Sequence, residues 1–82
     1  MSEKSVSIRY FAALREQAGC SQEQLLTCAA NPAGLYAELQ ARYGFRLGFD
    51  QLRVAVNDRF SSPTIPLDHG DQIAFIPPVS GG

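Results

Sequence analysis

Leu67-Asp68-His69-Gly70-Asp71-Gln72-Ile73-Ala74-Phe75-Ile76-Pro77-Pro78-Val79-Ser80-Gly81-Gly82 passes from a turn, through a strand, into a tail, and the other elements are arranged around that order. Asp68, His69, Gly70 and Asp71 carry turn chemistry, because short polar side chains and a glycine stabilise tight reversals. Gln72 to Ile76 then reads as the final strand. Pro77 and Pro78 have no amide hydrogen to give a sheet ladder and favour extended backbone, so they end that strand and aim the last residues outward. Gly81 and Gly82 lack a Cβ and fit a channel too narrow for ordinary side chains. At roughly 3.3 to 3.6 Å per extended residue, Pro77 to Gly82 reaches about 20 Å. Two glycines by themselves also describe a frayed terminus. The division expected is a folded domain over 1–76 and a tail over 77–82.

Working back from the tail, Leu52, Val54 and Val56 alternate with Arg53, Ala55 and Asn57, the two-residue period of a strand with one face on a core. Asn57-Asp58 supplies a tight bend before Arg59-Phe60. Ser61 to Thr64 is a loop, and Pro63 and Pro66 allow at most a short edge strand between them. Asn31-Pro32 is an N-cap followed by proline at the first helical position, with Leu35, Leu39 and Tyr43 at four-residue steps before Gly44. This predicts the main helix, with Glu38 and Arg42 placed for an i, i+4 pair and Gly34 weakening it by about 1 kcal/mol relative to alanine. Gln24 to Cys28 fits a second strand of open register. Val6, Ile8 and Tyr10 alternate with Ser5, Ser7 and Arg9 as the first strand, and Phe11, Leu14 and Ala18 come next at helical spacing before Gly19.

Composition limits what such a chain can do. With 82 residues, 45% hydrophobic and 18% charged, it makes one small globular domain. A domain of this size buries only about 60 to 65% of its unfolded surface, which leaves little room for an internal catalytic cleft. A net charge of −1 with no clustered Lys or Arg argues against nucleic acid as a partner. No apolar run approaches the roughly 20 residues of a membrane span, and Met1-Ser2-Glu3-Lys4 opens no signal-peptide region, so a cytoplasmic location and no membrane partner are expected. Cys20 and Cys28 have no metal-site spacing, and no metal site is assigned. There is no acid/base pair, nucleophile triad, Walker loop or Gly-x-Gly-x-x-Gly. Asp68 and Asp71 are turn formers, and His69 a solvated turn residue.

The opening Tyr10-Phe11-Ala12-Ala13-Leu14-Arg15-Glu16-Gln17-Ala18-Gly19, the pair Val56-Asn57, the Asp68-His69-Gly70-Asp71 turn and the ending Phe75-Ile76-Pro77-Pro78-Val79-Ser80-Gly81-Gly82 together strongly resemble the molybdopterin synthase small subunits. The similarity spans nearly the whole chain. It implies an α+β fold of the ubiquitin-like β-grasp type, a mixed sheet with one main helix packed across it and the two terminal strands side by side. It further implies a sulfur carrier whose terminal glycine, here Gly82, is adenylated by an ATP-using activating enzyme and converted to a thiocarboxylate. No cofactor would be bound by this chain itself.

The same resemblance implies three protein partners: a synthase large subunit holding cyclic pyranopterin monophosphate, the adenylating enzyme and a sulfur donor protein, in a two-plus-two synthase assembly. Pro77, Pro78, Val79, Ser80, Gly81 and Gly82 would form the inserted tail, with Phe11, Arg15, Phe75 and Ile76 at partner contacts. From the residues alone, Phe11 and Phe75 equally fit core packing and Arg15 a solvated helix charge. Ile76 is distinct, because it faces outward if Ile73 and Phe75 point inward. Many relatives carry an aromatic there. Carriers for thiamine or cysteine synthesis, and ubiquitin-like protein modifiers, share the diglycine chemistry and stand as alternatives.

Overall fold

The computed structural model describes residues 3–78. Five strands and two helices run in the order β1 (Lys4–Tyr10), α1 (Ala12–Ala18), β2 (Gln22–Thr27), α2 (Pro32–Tyr43), a 3-10 turn (Phe49–Gln51), β3 (Arg53–Val56), β4 (Arg59–Phe60) and β5 (Gln72–Ile76). They form one mixed sheet in the order β2-β1-β5-β3-β4. β1 and β5 run parallel at its centre, and the other neighbours are antiparallel. This is the ubiquitin-like β-grasp arrangement, with α2 held across one face.

Alternation places Val6, Ile8, Tyr10, Val54, Val56, Ile73 and Phe75 on the inner face, where they pack with Leu35, Tyr36 and Leu39 of α2. The helix begins where its capping residues put it. Asn31 Oδ1 accepts the Gly34 amide at 2.8 Å, Pro32 occupies the first turn, and Gly44 closes the helix at φ 70°. Tyr36, at the centre of this face, stacks on Phe45 and tilts against Phe75, while its hydroxyl donates to the Leu47 carbonyl at 2.8 Å.

Two local details depart from the sequence reading. β2 starts two residues earlier than the apolar run and ends before Cys28, which is exposed. The reason is Glu23, which turns inward because its carboxylate accepts the hydroxyls of Tyr10 at 2.5 Å and Tyr43 at 2.6 Å. Glu38 does not wait for Arg42: both of its oxygens take the Thr27 hydroxyl, at 2.9 and 2.8 Å, tying α2 to β2. The segment between Pro63 and Pro66 carries no strand.

The hairpin and the last turn are locked together. Asn57 and Asp58 both have positive φ, 53° and 69°, as a two-residue hairpin of this twist requires. Asn57 Oδ1 accepts the Gln72 amide at 3.0 Å, and its Nδ2 donates to Asp71 Oδ1 at 3.0 Å. Asp71 Oδ2 in turn accepts the Asp68 amide at 2.8 Å. Both aspartates therefore serve the turn, and His69 Nδ1 accepts the Ser5 amide at 3.1 Å beside them.

Candidate docking face

The outer face of the sheet is built by the residues between those of the core. Strand register sets two rows across it: Arg9, Ala74, Ala55 and Phe60 lie side by side, and Ile76 lies beside Arg53. Phe11, directly after β1, continues the outward alternation of Ser7 and Arg9. Ala12 then takes φ 51°, a left-handed value rare for alanine, and the chain leaves the sheet into α1. Phe11 is 38% exposed and Phe60 68% exposed.

Between the two rings lies a groove of about 210 Å³ lined by Phe11, Ala55, Phe60, Ala74 and Ile76, with Arg9 and Asp58 at its rim. Two alanines make its floor because any larger side chain there would fill it. Arg9 sits over the Phe11 ring at 5.7 Å and Arg53 over the Phe60 ring at 5.6 Å, so each exposed aromatic is flanked by a guanidinium. A second groove of about 350 Å³, lined by Phe49, Asp50, Leu52, Arg53 and Pro63 among others, shares Phe60 with the first. β5 runs through the face and ends on it, at Ile76, so Pro77 and Pro78 depart from the groove itself.

The sequence-derived contact residues divide on this geometry. Phe11 and Ile76 are together on the outer face, the first exposed and the second partly so. Arg15 is exposed on α1, outside the groove lining. Phe75 is a correction: it is 0% exposed and packs against Tyr36 and Phe49, since its position in β5 puts it on the inner face. Val79, Ser80, Gly81 and Gly82 lie outside the described residues.

Sequence reasoning missed Phe60, Arg9 and Arg53. The signal existed: a two-residue turn at Asn57-Asp58 pairs Val56 with Arg59 and so Ala55 with Phe60, which puts Phe60 on the face opposite the core.

Nothing among the described residues offers competing chemistry. No group of three or more His, Cys, Asp or Glu among them is arranged to hold a metal ion. Cys20 is half-buried, and burial followed by the Glu23 charge pushes its thiol up, away from the reactive thiolate. No described helix is long and apolar enough to cross a membrane.

The chain is thus a β-grasp domain with an apolar, arginine-flanked outer face on which its last strand ends. The chain belongs to the ThiS family, which it matches over residues 8–82. It is 31% identical over 80 residues to the molybdopterin synthase sulfur carrier subunit of Escherichia coli, covering 94% of this chain and 99% of that one. Two solved structures are also similar. In the complex of subunits 1 and 2 of molybdopterin-converting factor from Helicobacter pylori, the matching chain is 30% identical, with 95% and 99% of the two chains covered and a TM-score of 0.63. The HVO 2177 protein of Haloferax volcanii is 26% identical, with 98% and 88% covered and a TM-score of 0.82.

Proposed function

We propose that this chain is the sulfur-carrying small subunit of a molybdopterin synthase, with Gly82 as the residue that is activated and Pro77 to Gly82 as the tail that enters the partner. The observation that carries this reading is the exit of β5 from the apolar groove: a partner seated on Phe11, Phe60 and Ile76 receives the residues after Pro78. The reading is supported by the E. coli relative, a molybdopterin synthase sulfur carrier subunit, and by the H. pylori structure, a complex of subunits 1 and 2 of molybdopterin-converting factor.

The chemistry stems from the nature of a terminal carboxylate. Ionised near neutral pH, with an ordinary pKa of about 3.3 to 3.7, it is a poor acyl electrophile. An ATP-dependent activating enzyme would join it to AMP with release of pyrophosphate. The outer sulfur of a persulfide on a sulfur donor protein would then form the C–S bond as the C–O bond to AMP breaks, and a thiol would cleave the remaining S–S bond by forming a disulfide with the donor, leaving a thiocarboxylate on Gly82. That sulfur becomes the nucleophile toward cyclic pyranopterin monophosphate held by the large subunit: a C–S bond forms as a C–O bond of the substrate breaks, water cleaves the bond between the sulfur and the Gly82 carbonyl and restores the carboxylate, and two such transfers complete a dithiolene. Acid, base and substrate pocket come from the partner, and positioning the tail there dominates the rate. The carrier itself binds no cofactor and acts in the cytoplasm.

The decisive measurement is intact mass after incubation with the activating enzyme, ATP and sulfur donor. A gain equal to one oxygen-to-sulfur exchange, localised to Gly82, is expected. An unchanged mass, or lysine adducts of Gly82 without a thiocarboxylate, overturns the reading. Because the matching family is ThiS, a carrier for a thiazole-forming synthase is the second reading. Capture of that synthase in place of the large subunit would establish it.

A further inference from the structure

The outer face differs in charge from the chain as a whole. The protein carries one more acidic than basic residue. Yet the charges set into the outer-face rows are Arg9 and Arg53; the acids at the grooves are Asp58, out on the hairpin turn, and Asp50, in the 3-10 turn at the second groove, and neither takes a hydrogen bond from these arginines among the described residues. Several other carboxylates are occupied internally: Glu23 by two tyrosines, Glu38 by Thr27 and Asp71 by Asn57 and the Asp68 amide. Among the described residues, neither Arg9 nor Arg53 donates a side-chain hydrogen bond.

Each guanidinium lies over a ring, at 5.7 and 5.6 Å, which holds the group in place while its N–H donors remain in their own plane. A purely apolar partner closing on the groove would strip water from two charges and return nothing. A carboxylate returns paired, bidentate hydrogen bonds, and it does so better with the planar arginine fork than with lysine. The two arginines stand on opposite sides of β5, in β1 and β3, so their backbones are on the order of 10 Å apart across the sheet. They also sit in different rows, which makes the pair diagonal.

We propose that the protein surface docking here presents an apolar projection to the Ala55–Ala74 floor and a carboxylate on each side of it, one for Arg9 and one for Arg53. This rests on the proposed docking of a synthase large subunit and goes beyond it in assigning the partner's chemistry. Association is then steered by charge and sensitive to salt, with the apolar groove setting the lifetime of the complex.

The test measures binding of the full chain to the synthase large subunit from the same organism, across about 0.05 to 0.5 M salt, a range over which the screening length shortens severalfold. Wild-type affinity should fall as salt rises. Arg9→Gln and Arg53→Gln should each weaken low-salt binding roughly tenfold, mainly through slower association, and flatten the salt dependence. Arg53→Lys should keep the salt dependence and recover only part of the affinity. Phe60→Ala should weaken binding at every salt concentration and leave the salt dependence in place. If the arginine variants bind like wild type while Phe60→Ala binds worse, the carboxylate proposal is overturned and the docking face stands. If all four variants bind like wild type, or wild type does not bind, both are overturned. Circular dichroism of each variant verifies that these exposed changes leave the fold intact.

Discussion

The two faces of one sheet are made by adjacent residues and have opposite compositions. On the inner face Tyr10, Ile73, Phe75 and Val54 are buried against α2. One residue along in each strand, Arg9, Ala74 and Ile76 line a groove in place of a core, and Arg53 lies beside Ile76. A two-residue period lets strands as short as four or five residues serve both tasks, because neighbouring side chains never share a face. The lesson is one of separability: stability is concentrated on one face and recognition on the other.

The sharpest way to break that separation is to exchange the consequences of two neighbours. Phe75→Ala empties the inner face beneath Tyr36 and Phe49 and should cost about 3 to 5 kcal/mol, a large part of a small domain's stability. Urea unfolding measures it. A cost under about 1 kcal/mol would mean that Phe75 is not the core anchor its burial indicates. Phe60→Ala, on the edge strand two pairings from β5 and on the other face, should leave stability within about 0.5 kcal/mol. It should weaken docking on the large subunit by at least about tenfold, the loss typical of an exposed aromatic anchor. Titration calorimetry beside a melting curve separates the two effects. A variant that unfolds easily yet binds normally would reverse the assignment of the faces.

The tail extends the same contrast beyond the sheet. On the proposed function, an added residue after Gly82, or a bulky replacement of Gly81, should abolish sulfur transfer. The melting temperature should be unchanged, because on this proposal the tail serves the partner and not the fold. Sulfur transfer that survives such an extension would remove Gly82 from the chemistry.

Much of this architecture was legible in the sequence. The strands with apolar alternation, β1, β3 and β5, were readable from period alone, and β5 was bounded correctly at both ends because Asp71 and Pro77 punctuate it. α2 was equally plain from Asn31-Pro32 at one end and Gly44 at the other. β2 was not, because Glu23 occupies an inward position that periodicity assigns to an apolar residue. Only the approach of Tyr10 and Tyr43 from β1 and α2, distant in sequence, makes a carboxylate acceptable there. The docking face was half legible for a related reason. Ile76 stood out as an apolar residue on an outward alternation, and Phe11 was marked only by the family resemblance because its spacing with Leu14 and Ala18 read as helical, whereas pairing across strands was needed to bring Arg9 and Arg53 each over a ring.

The inward carboxylate of Glu23 also gives the inner face the gentlest test of the comparison, because its polar contacts respond to pH while its apolar ones do not. Burial, reinforced by the hydrogen bond to Glu23, holds the Tyr10 hydroxyl well above its ordinary range; the hydrogen bond to Glu23, with burial second, does the same for Tyr43. A phenol whose folded pKa is raised keeps its proton in the native state after the unfolded chain has lost it, near pH 10, so the native state binds more protons there. Its contribution to stability is therefore complete below about pH 10 and is lost progressively as pH rises beyond it. Tyr10→Phe should cost about 1 to 2 kcal/mol at neutral pH, the worth of a hydrogen bond to a charged group, since Glu23 keeps Tyr43 as its remaining donor. The same variant should flatten the fall in stability above about pH 10, because one of the two linked protons is gone. Chemical denaturation measured from neutral to alkaline pH reads both effects. A Tyr10→Phe curve parallel to wild type throughout would show that the Glu23 cluster does not couple the inner face to pH.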